Sequence, residues 1–314
     1  MSRVKTLGFW STFYRHRVAY AYIAPFYILF AVFGLFPIVA GLAISFFRWD
    51  GVDPMRFIGL QNYFRLLTDG LFWKSLGNTA LIGLISHVFI LGGGLVLAYV
   101  LNSKLVKFQN GFKTVYFLPM VTSAVASAIV FKALFGINNG LINFVIKSMG
   151  FEGVDWWGGN GDFVKVAVIA MFSWQWIGWN MVIYLAGMQA ISHDIYEAAE
   201  IDGANHTQVF FRITVPLLKP IILFTVIQST IGTLGLFTEP YVLTGGNNLL
   251  GGTDNQAMTV MMYLLNKAPY GNNLYGFASA VAYVVCAIII VVSLVNMKLF
   301  DRDETASTAA RRKK

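Results

Sequence analysis

Residues 19 to 47 read AYAYIAPFYILFAVFGLFPIVAGLAISFF, a stretch of 29 residues without one charged side chain. A helix needs about 20 apolar residues to cross the hydrocarbon core of a bilayer, which is roughly 30 Å thick. The stretch is also much longer than the apolar region of a secretory signal, which has about 7 to 15 residues. We therefore predict a transmembrane helix here that is retained in the mature protein.

Five further stretches of the chain carry no charged side chain. Hydrophobic residues make up 57% of the sequence and charged residues only 12%, which lies outside the range of soluble globular proteins. The stretches do not alternate with a period of two, as the strands of a membrane barrel would. Since an open strand would leave its backbone polar groups unsatisfied in lipid, the sequence predicts an all-α integral membrane protein with six transmembrane helices. The five stretches are Ser75–Ser103, Thr114–Phe131, Val166–Ile191, Pro220–Thr238 and Ala268–Met297.

The distribution of Lys and Arg indicates how the helices are oriented. Of the 23 basic residues, 15 lie on the side of the membrane that holds both termini if six spans are present. Cytoplasmic segments carry the excess of basic residues, so we predict that both termini are cytoplasmic. The predicted organisation is a cytoplasmic segment at 1–18, a transmembrane domain at 19–300 with a long cytoplasmic loop at 191–216, and a basic cytoplasmic tail at 301–314. This topology accounts for the net charge of +8 without a nucleic-acid partner.

The sequence lacks the motifs of several chemistries. It has no glycine-rich phosphate loop, so we expect no bound nucleotide, and it has no hydrolase motif and no metal-ligand spacing, so we expect no catalytic residues, metal or cofactor. His87, in the second span, is interpreted as a hydrogen-bonded packing residue rather than a proton relay. No Asp, Glu, Lys or Arg lies deep in a span, which counts against an ion-coupled carrier. Cys286 is the single cysteine, so a disulfide within the chain is excluded.

The loop between the fourth and fifth spans has the features of a short helix. Ser192 is a suitable N-cap, and Asp194 and Glu197 follow where the helix dipole favours acids. Gly203 is placed to end the helix in a left-handed conformation. Ile195, Tyr196 and Ala199 would form an apolar side that is exposed to the cytosol, which indicates that another surface covers it.

This loop resembles the signature of the permeases of binding-protein-dependent ABC importers. That signature has Glu-Ala-Ala, a Gly four residues later and an Ile-x-Leu-Pro element after nine more residues, and this chain has Val215 in place of the Leu. The resemblance implies the type I importer permease fold, with the loop as a coupling helix that sits in a cleft of a separate ATPase. The residues that this assigns to coupling are Glu197, Ala198, Ala199, Asp202, Gly203 and Pro216.

Further motifs are similar to those of the sugar branch of the family, in particular the larger permease of maltose-type and glycerol-phosphate-type systems. They are Phe57–Phe64, Asn78-Thr79, Tyr116–Pro119, Gly140–Asn143, Leu243–Asn247 and Tyr275–Ala278. The resemblance implies four kinds of partner: a second related permease, two ATPase subunits that bind ATP and Mg, an extracytoplasmic solute-binding protein, and the bilayer of the cytoplasmic membrane. A glycerol-phosphate or polyol importer is the alternative within the family, and an ion-coupled secondary transporter is the alternative outside it.

The middle of three spans carries the candidate substrate path. Aromatic rings beside an amide suit a sugar, because its C–H faces stack on rings while its hydroxyls need polar partners. The fourth span offers such a face, with Trp179 near its centre, too deep for an interfacial belt. Small and polar residues repeat the pattern in the third and fifth spans, although such residues also serve helix packing. The candidate residues are Ser123, Ser127, Phe172, Gln175, Trp176, Trp179, Ser229, Gly232, Thr233 and Leu236.

The orientation can be tested by cysteine labelling on a Cys286→Ala background. We expect a membrane-impermeant maleimide, added from outside, to label a cysteine at Asn160 and not one at Ser307, because the loop from Gly140 to Asp162 is predicted to face outward. The reverse pattern would contradict the predicted topology.

Overall fold

The structure is a computed structural model that describes residues 14, 16–103, 106–158, 163–245, 250–268 and 271–311, with side chains described up to residue 298. Most of the predicted N-terminal segment, the end of the loop from Gly140 to Asp162, Asn247 of the fifth motif and the last three residues of the basic tail lie outside the described residues. The described chain is mostly helical. Its helices are α1 Arg17–Ile44, α2 Gln61–Thr68, α3 Gly70–Asn102, α4 Gln109–Val121, α5 Ala124–Leu134, α6 Leu141–Ser148, α7 Phe163–Gln189, α8 His193–Ile201, α9 His206–Leu217, α10 Lys219–Leu234, α11 Thr238–Leu243, α12 Val260–Lys267 and α13 Tyr275–Arg311.

Helices α1, α3, α7 and α13 are each long and apolar enough to cross a membrane, by length and composition. Two pairs of helices also qualify, but each pair is sharply bent: α4 and α5 by 98°, and α9 and α10 by 71°. If each bent pair forms one span, the described residues contain six spans, the predicted number. The all-helical membrane fold is thus confirmed. The bend between α4 and α5 lies within the third predicted span, whereas the bend between α9 and α10 lies before the fifth.

The third predicted span, Thr114–Phe131, is wrong as a single helix. Pro119 lacks an N–H group and weakens the last turn of α4. Thr122 then adopts an extended conformation, and its hydroxyl donates a hydrogen bond of 2.9 Å to the carbonyl of Leu118. Ser123 is also non-helical, so α5 starts in a new direction at Ala124.

The fifth and sixth predicted spans also end or begin elsewhere than expected. Helix α10 ends at Leu234 instead of Thr238, with Gly235 directly after it. The last helix begins at Tyr275 instead of Ala268, because α12 and a short connection occupy the residues before it. It then continues to Arg311, into the segment predicted as a basic tail.

Helix α1 has no charged residue after Arg17, and none of its residues is buried within the chain. Its backbone widens into a π-turn at Ala31–Leu35, directly before Pro37. A π-turn of this kind accommodates a proline that cannot join the regular hydrogen-bond ladder. The C-terminal half of α1 touches α13, where Gly41 lies against Tyr283 and the Tyr283 hydroxyl donates to the carbonyl of Ile38.

The core is built around α7, which packs against α3 and α4 with little space between the backbones. A side chain at Gly178 would meet the carbonyl of Tyr116 far inside van der Waals contact, and one at Gly94 would lie 3.2 Å from the carbonyl of Ile177. Farther along α7, the buried hydroxyls of Tyr184 and Thr225 are 2.6 Å apart, which joins α7 to α10. These contacts fix the helix that carries Phe172, Gln175, Trp176 and Trp179 of the candidate pocket.

Asparagines in three of the family-like motifs bind backbone groups of distant segments. Asn62 donates to the carbonyls of Ser45 and Phe47, next to a short β-hairpin of β1 Phe47–Arg48 and β2 Arg56–Phe57. Asn78 donates to the carbonyls of Asn255 and Met258. Asn143 donates to the carbonyls of Ile137 and Val154 and accepts from the indole of Trp156. These motif residues therefore support the fold, because each satisfies backbone groups that no helix or strand pairs.

Gly178 offers a direct test of the packing between α4 and α7. We expect Gly178→Ala to destabilise the protein by about 1 to 3 kcal/mol, because the new methyl group meets backbone atoms that cannot rotate away. Thermal unfolding in detergent should show a lower Tm. Gly77→Ala on α3 is the matched control, since that position is open, and it should leave stability unchanged or raise it by up to about 1 kcal/mol. Equal Tm values for both variants would contradict the close packing.

Candidate functional site

Four parts of the chain meet at one buried cluster, here called the central cluster. It includes Ile82 and Ile90 of α3, Ala128 of α5, Phe172 of α7 and Leu236, which follows the end of α10. The ring of Trp176 packs against it. The structure therefore brings together the third, fourth and fifth predicted spans, as the candidate pocket requires, and adds the second span to them.

Four predicted pocket residues carry polar atoms that have no hydrogen-bond partner among the described residues. They are the Ser127 hydroxyl, the Gln175 side-chain carbonyl, the Trp176 indole N–H and the Thr233 hydroxyl. Ser127, Gln175 and Thr233 are buried, and Trp176 is half-buried. An unpaired buried polar group costs about 1 to 3 kcal/mol. These atoms are thus available to a ligand that can pair with them.

The chemistry of this pocket is polar, uncharged and partly aromatic. The indole can only donate, the amide oxygen can only accept, and the two hydroxyls can do either. The rings of Phe172 and Trp176 are 6.3 Å apart. All four polar groups belong to side chains that carry no charge. Such a site suits a neutral ligand that carries several hydroxyl groups on an apolar frame.

Four other predicted pocket residues are exposed or only half-buried. Ser123 is exposed at the bend between α4 and α5, and Gly232 is exposed on α10, while Ser229 is half-buried. Trp179 is half-buried and packs against Phe117 of α4, with ring centroids 6.2 Å apart. A role of these four residues in binding stays a prediction.

Three further buried polar groups were not among the sequence-predicted pocket residues. The hydroxyls of Ser86 and Ser173 have no hydrogen-bond partner among the described residues, and neither does the Nε2 atom of His87. The other ring nitrogen of His87 is 2.6 Å from the carbonyl of Gly83, so the predicted hydrogen-bonded histidine is correct for one nitrogen only. Ser86 lies four residues from both Ile82 and Ile90 and shares their helical face, but the sequence does not indicate that this face meets the central cluster.

The predicted coupling segment folds as a short helix with both of its expected ends. The Ser192 hydroxyl accepts from the N–H of Asp194 at the start of α8. Gly203 has φ +76°, and the N–H groups of Gly203 and Ala204 donate to the carbonyls of Glu200 and Ala199. This pattern of two bonds is the Schellman motif, which glycine favours because it has no Cβ to strain the left-handed backbone.

The apolar side of α8 differs from the prediction. Ala199 is buried against the chain itself and Tyr196 is half-buried, because the Tyr196 hydroxyl lies 3.5 Å from that of Thr214. Ile195 is exposed as predicted, and the other exposed apolar residues are Ala198 and Ile201, the last with 86% of its surface exposed. Consecutive members of this set are three residues apart, so they lie on one face of the helix.

The charged and polar members of the segment are exposed. The Glu197 carboxylate lies 3.0 Å from the imidazole of His193, and 62% of its side chain is exposed. Asp202 is exposed at the end of α8, and Pro216 is exposed near the end of α9. Glu197 therefore remains accessible to a partner.

The segment is tied to α3 by one aromatic side chain. The Tyr99 hydroxyl donates a hydrogen bond of 3.0 Å to the carbonyl of His206, and its ring packs on Phe210 with centroids 4.8 Å apart. A movement of α8 and α9 would therefore act on α3 directly.

Glu239 is buried near the start of α11. In the sequence it lies between Leu236 and Leu243, which both belong to the central cluster. Burial raises the pKa of its carboxyl group above the ordinary value, which a backbone hydrogen bond offsets in part. Among the described residues, no group of three or more His, Cys, Asp and Glu side chains could hold a metal ion.

Comparison with known proteins defines the class of this chain. The model of the family described as "Binding-protein-dependent transport system inner membrane component" matches residues 90–303. That match covers more than half of the chain. The protein therefore belongs to this family of membrane-embedded permease subunits of the inner membrane.

Individual relatives resemble nearly the whole chain. The lactose transport system permease protein LacF of Rhizobium radiobacter is 37% identical over 88% of this chain and 91% of its own length. The arabinooligosaccharides transport system permease protein AraP of Bacillus subtilis (strain 168) is 35% identical over 95% of this chain and 93% of its own. The multiple sugar-binding transport system permease protein MsmF of Streptococcus mutans is 33% identical over 88% of this chain and 93% of its own length.

The fold has a counterpart among solved structures. A chain of a bacterial ABC transporter involved in the import of the acidic polysaccharide alginate has a TM-score of 0.76 and 23% sequence identity, and the match covers 93% of this chain and 98% of that one. The likeness confirms the fold of an ABC importer permease.

Proposed function

We propose that this chain is one of two related permease subunits of an ATP-driven importer that takes up a neutral mono- or oligosaccharide. A solute-binding protein outside the cytoplasmic membrane delivers the sugar, and two cytoplasmic ATPase subunits bind ATP and Mg. The permease itself supplies the path and catalyses no reaction. Both termini lie in the cytoplasm, as the basic residues of the loops require.

The observation that carries this proposal is the set of buried polar atoms on Ser127, Gln175, Trp176 and Thr233 that have no hydrogen-bond partner among the described residues. Its unpaired donor and acceptor atoms lie beside aromatic rings, an arrangement that complements the hydroxyls and C–H faces of a sugar. The relatives named for lactose, arabinooligosaccharides and multiple sugars support the same class of substrate.

Two alternatives fit the pocket less well. A glycerol-phosphate would need a cationic partner, and the four polar side chains of the candidate pocket are uncharged. Glu239, buried close by, would repel a phosphate. An ion-coupled carrier would need ionisable groups within the spans, and the sequence has no Asp, Glu, Lys or Arg deep in one.

Uptake by the reconstituted complex tests the proposal. We expect proteoliposomes with the permease pair, the ATPase and the binding protein to import radiolabelled lactose or arabinotriose, and not glycerol 3-phosphate. Import should stop when the ATPase is replaced by a catalytically inactive variant. Uptake that persists with the inactive ATPase and follows an ion gradient would instead identify a secondary transporter.

The coupling role of α8 rests on Glu197 and Gly203. The mutation Glu197→Lys removes an exposed acid that a basic group of the ATPase would pair with, at a cost of about 2 to 5 kcal/mol if the pair is desolvated. Gly203→Asp strains the left-handed backbone by about 1 kcal/mol or more. Both variants should lower ATPase binding and stimulated ATP hydrolysis together with transport, while sugar binding to the solute-binding protein stays unchanged.

The chain offers a matched control for each variant. Glu152→Lys makes the same change of charge at an exposed position, and Gly150→Asp places a side chain at another open glycine with positive φ, +87°. Neither residue lies in the coupling segment. If the controls lose ATPase binding to the same extent, the effect is not specific to α8 and this role is wrong.

A further inference from the structure

Helix α3 contributes a polar face to the pocket that the sequence did not reveal. Ser86 is fully buried, and its hydroxyl has no hydrogen-bond partner among the described residues. Ile82 and Ile90, four residues before and after it, both belong to the central cluster. Since residues four apart lie on one helical face, Ser86 is directed to the same cluster.

His87, the next residue, already uses one of its ring nitrogens in a hydrogen bond. Its Nδ1 atom is 2.6 Å from the carbonyl oxygen of Gly83. A carbonyl can only accept, so Nδ1 carries the proton, and in the neutral ring Nε2 is then an acceptor. That Nε2 atom is buried and has no partner in the described part of the chain.

The packing of α3 against α10 places this face at the level of the pocket. A side chain at Gly83 would overlap the methyl group of Thr233, so the two helices touch at this point. Thr233 is itself one of the pocket residues with an unpaired hydroxyl. His87 lies one helical turn from Gly83 on the same face and is therefore next to that contact.

We propose that Ser86 and His87 form a further wall of the substrate pocket and select for hydroxyl groups of the transported sugar. His87 Nε2 accepts a hydrogen bond from a sugar hydroxyl, and Ser86 donates to or accepts from a neighbouring one. This rests on the proposed import of a saccharide.

The test compares Ser86→Ala and His87→Phe with a matched serine on the same helix. Ser75 is also fully buried, but its hydroxyl donates to the carbonyl of Phe72 at 2.8 Å, so Ser75→Ala is the control. In proteoliposomes with saturating binding protein, the measured quantity is the amount of lactose imported per ATP hydrolysed, or of arabinotriose if wild type imports that sugar instead. Each pocket variant should lower this ratio by about 2- to 10-fold, the effect of one neutral hydrogen bond.

Two further readouts separate recognition from structure. His87→Gln keeps an acceptor and should recover part of the ratio, and the Tm of each assembled complex should stay at the value of the Ser75→Ala control. Wild-type ratios in both pocket variants, or losses that match a fall in Tm, would overturn the inference while leaving the importer intact. If wild-type complexes import neither sugar with ATP, the proposed function itself is wrong.

Discussion

The structure depends on one constraint: in a hydrocarbon layer each backbone N–H and C=O group must find its partner inside the protein. Long helices meet this demand within one segment, and α7 is the central example. Where the hydrogen bonds of a helix end, side chains supply partners for the backbone groups that are left. The hydroxyl of Thr122 donates a hydrogen bond to the carbonyl of Leu118 at the bend between α4 and α5. Asn78 and Asn143 do the same for the connections that close over the helices.

The parts of this architecture that follow from composition could be predicted from the sequence. A long stretch of uncharged residues indicates a lipid environment, so the approximate positions of the membrane helices followed from the spacing of charges. The number of six spans stays a prediction, because four continuous helices and two bent pairs qualify. The ends of α8 were equally accessible, because Ser192 and Gly203 act through local backbone chemistry. For the pocket, Gln175 and Trp176 each carry a buried polar atom without a hydrogen-bond partner among the described residues, and their role in binding stays a prediction.

What the sequence left open depends on contacts between distant segments. Nothing in the sequence around Thr122 and Ser123 states that the chain turns by 98°, since threonine and serine also occur inside membrane helices. Tyr196 and Ala199 were predicted to be exposed, but Thr214, on the following helix, gives Tyr196 a neighbour within the chain. Ser86 shows the same difficulty, because its importance depends on which helices surround α3.

The bond between Tyr99 and the carbonyl of His206 has a thermodynamic consequence. Helix α3 carries Tyr99 near one end and Ser86 thirteen residues earlier, a separation of about 20 Å along a helix. Binding of a partner at α8 and binding of a ligand near Ser86 would thus act on the same rigid element. By linkage, any factor by which the first event changes the affinity for the second applies equally in reverse. If binding of the ATPase at α8 changes the affinity of the pocket for its ligand, then binding of the ligand must change the affinity of α8 for the ATPase by the same factor.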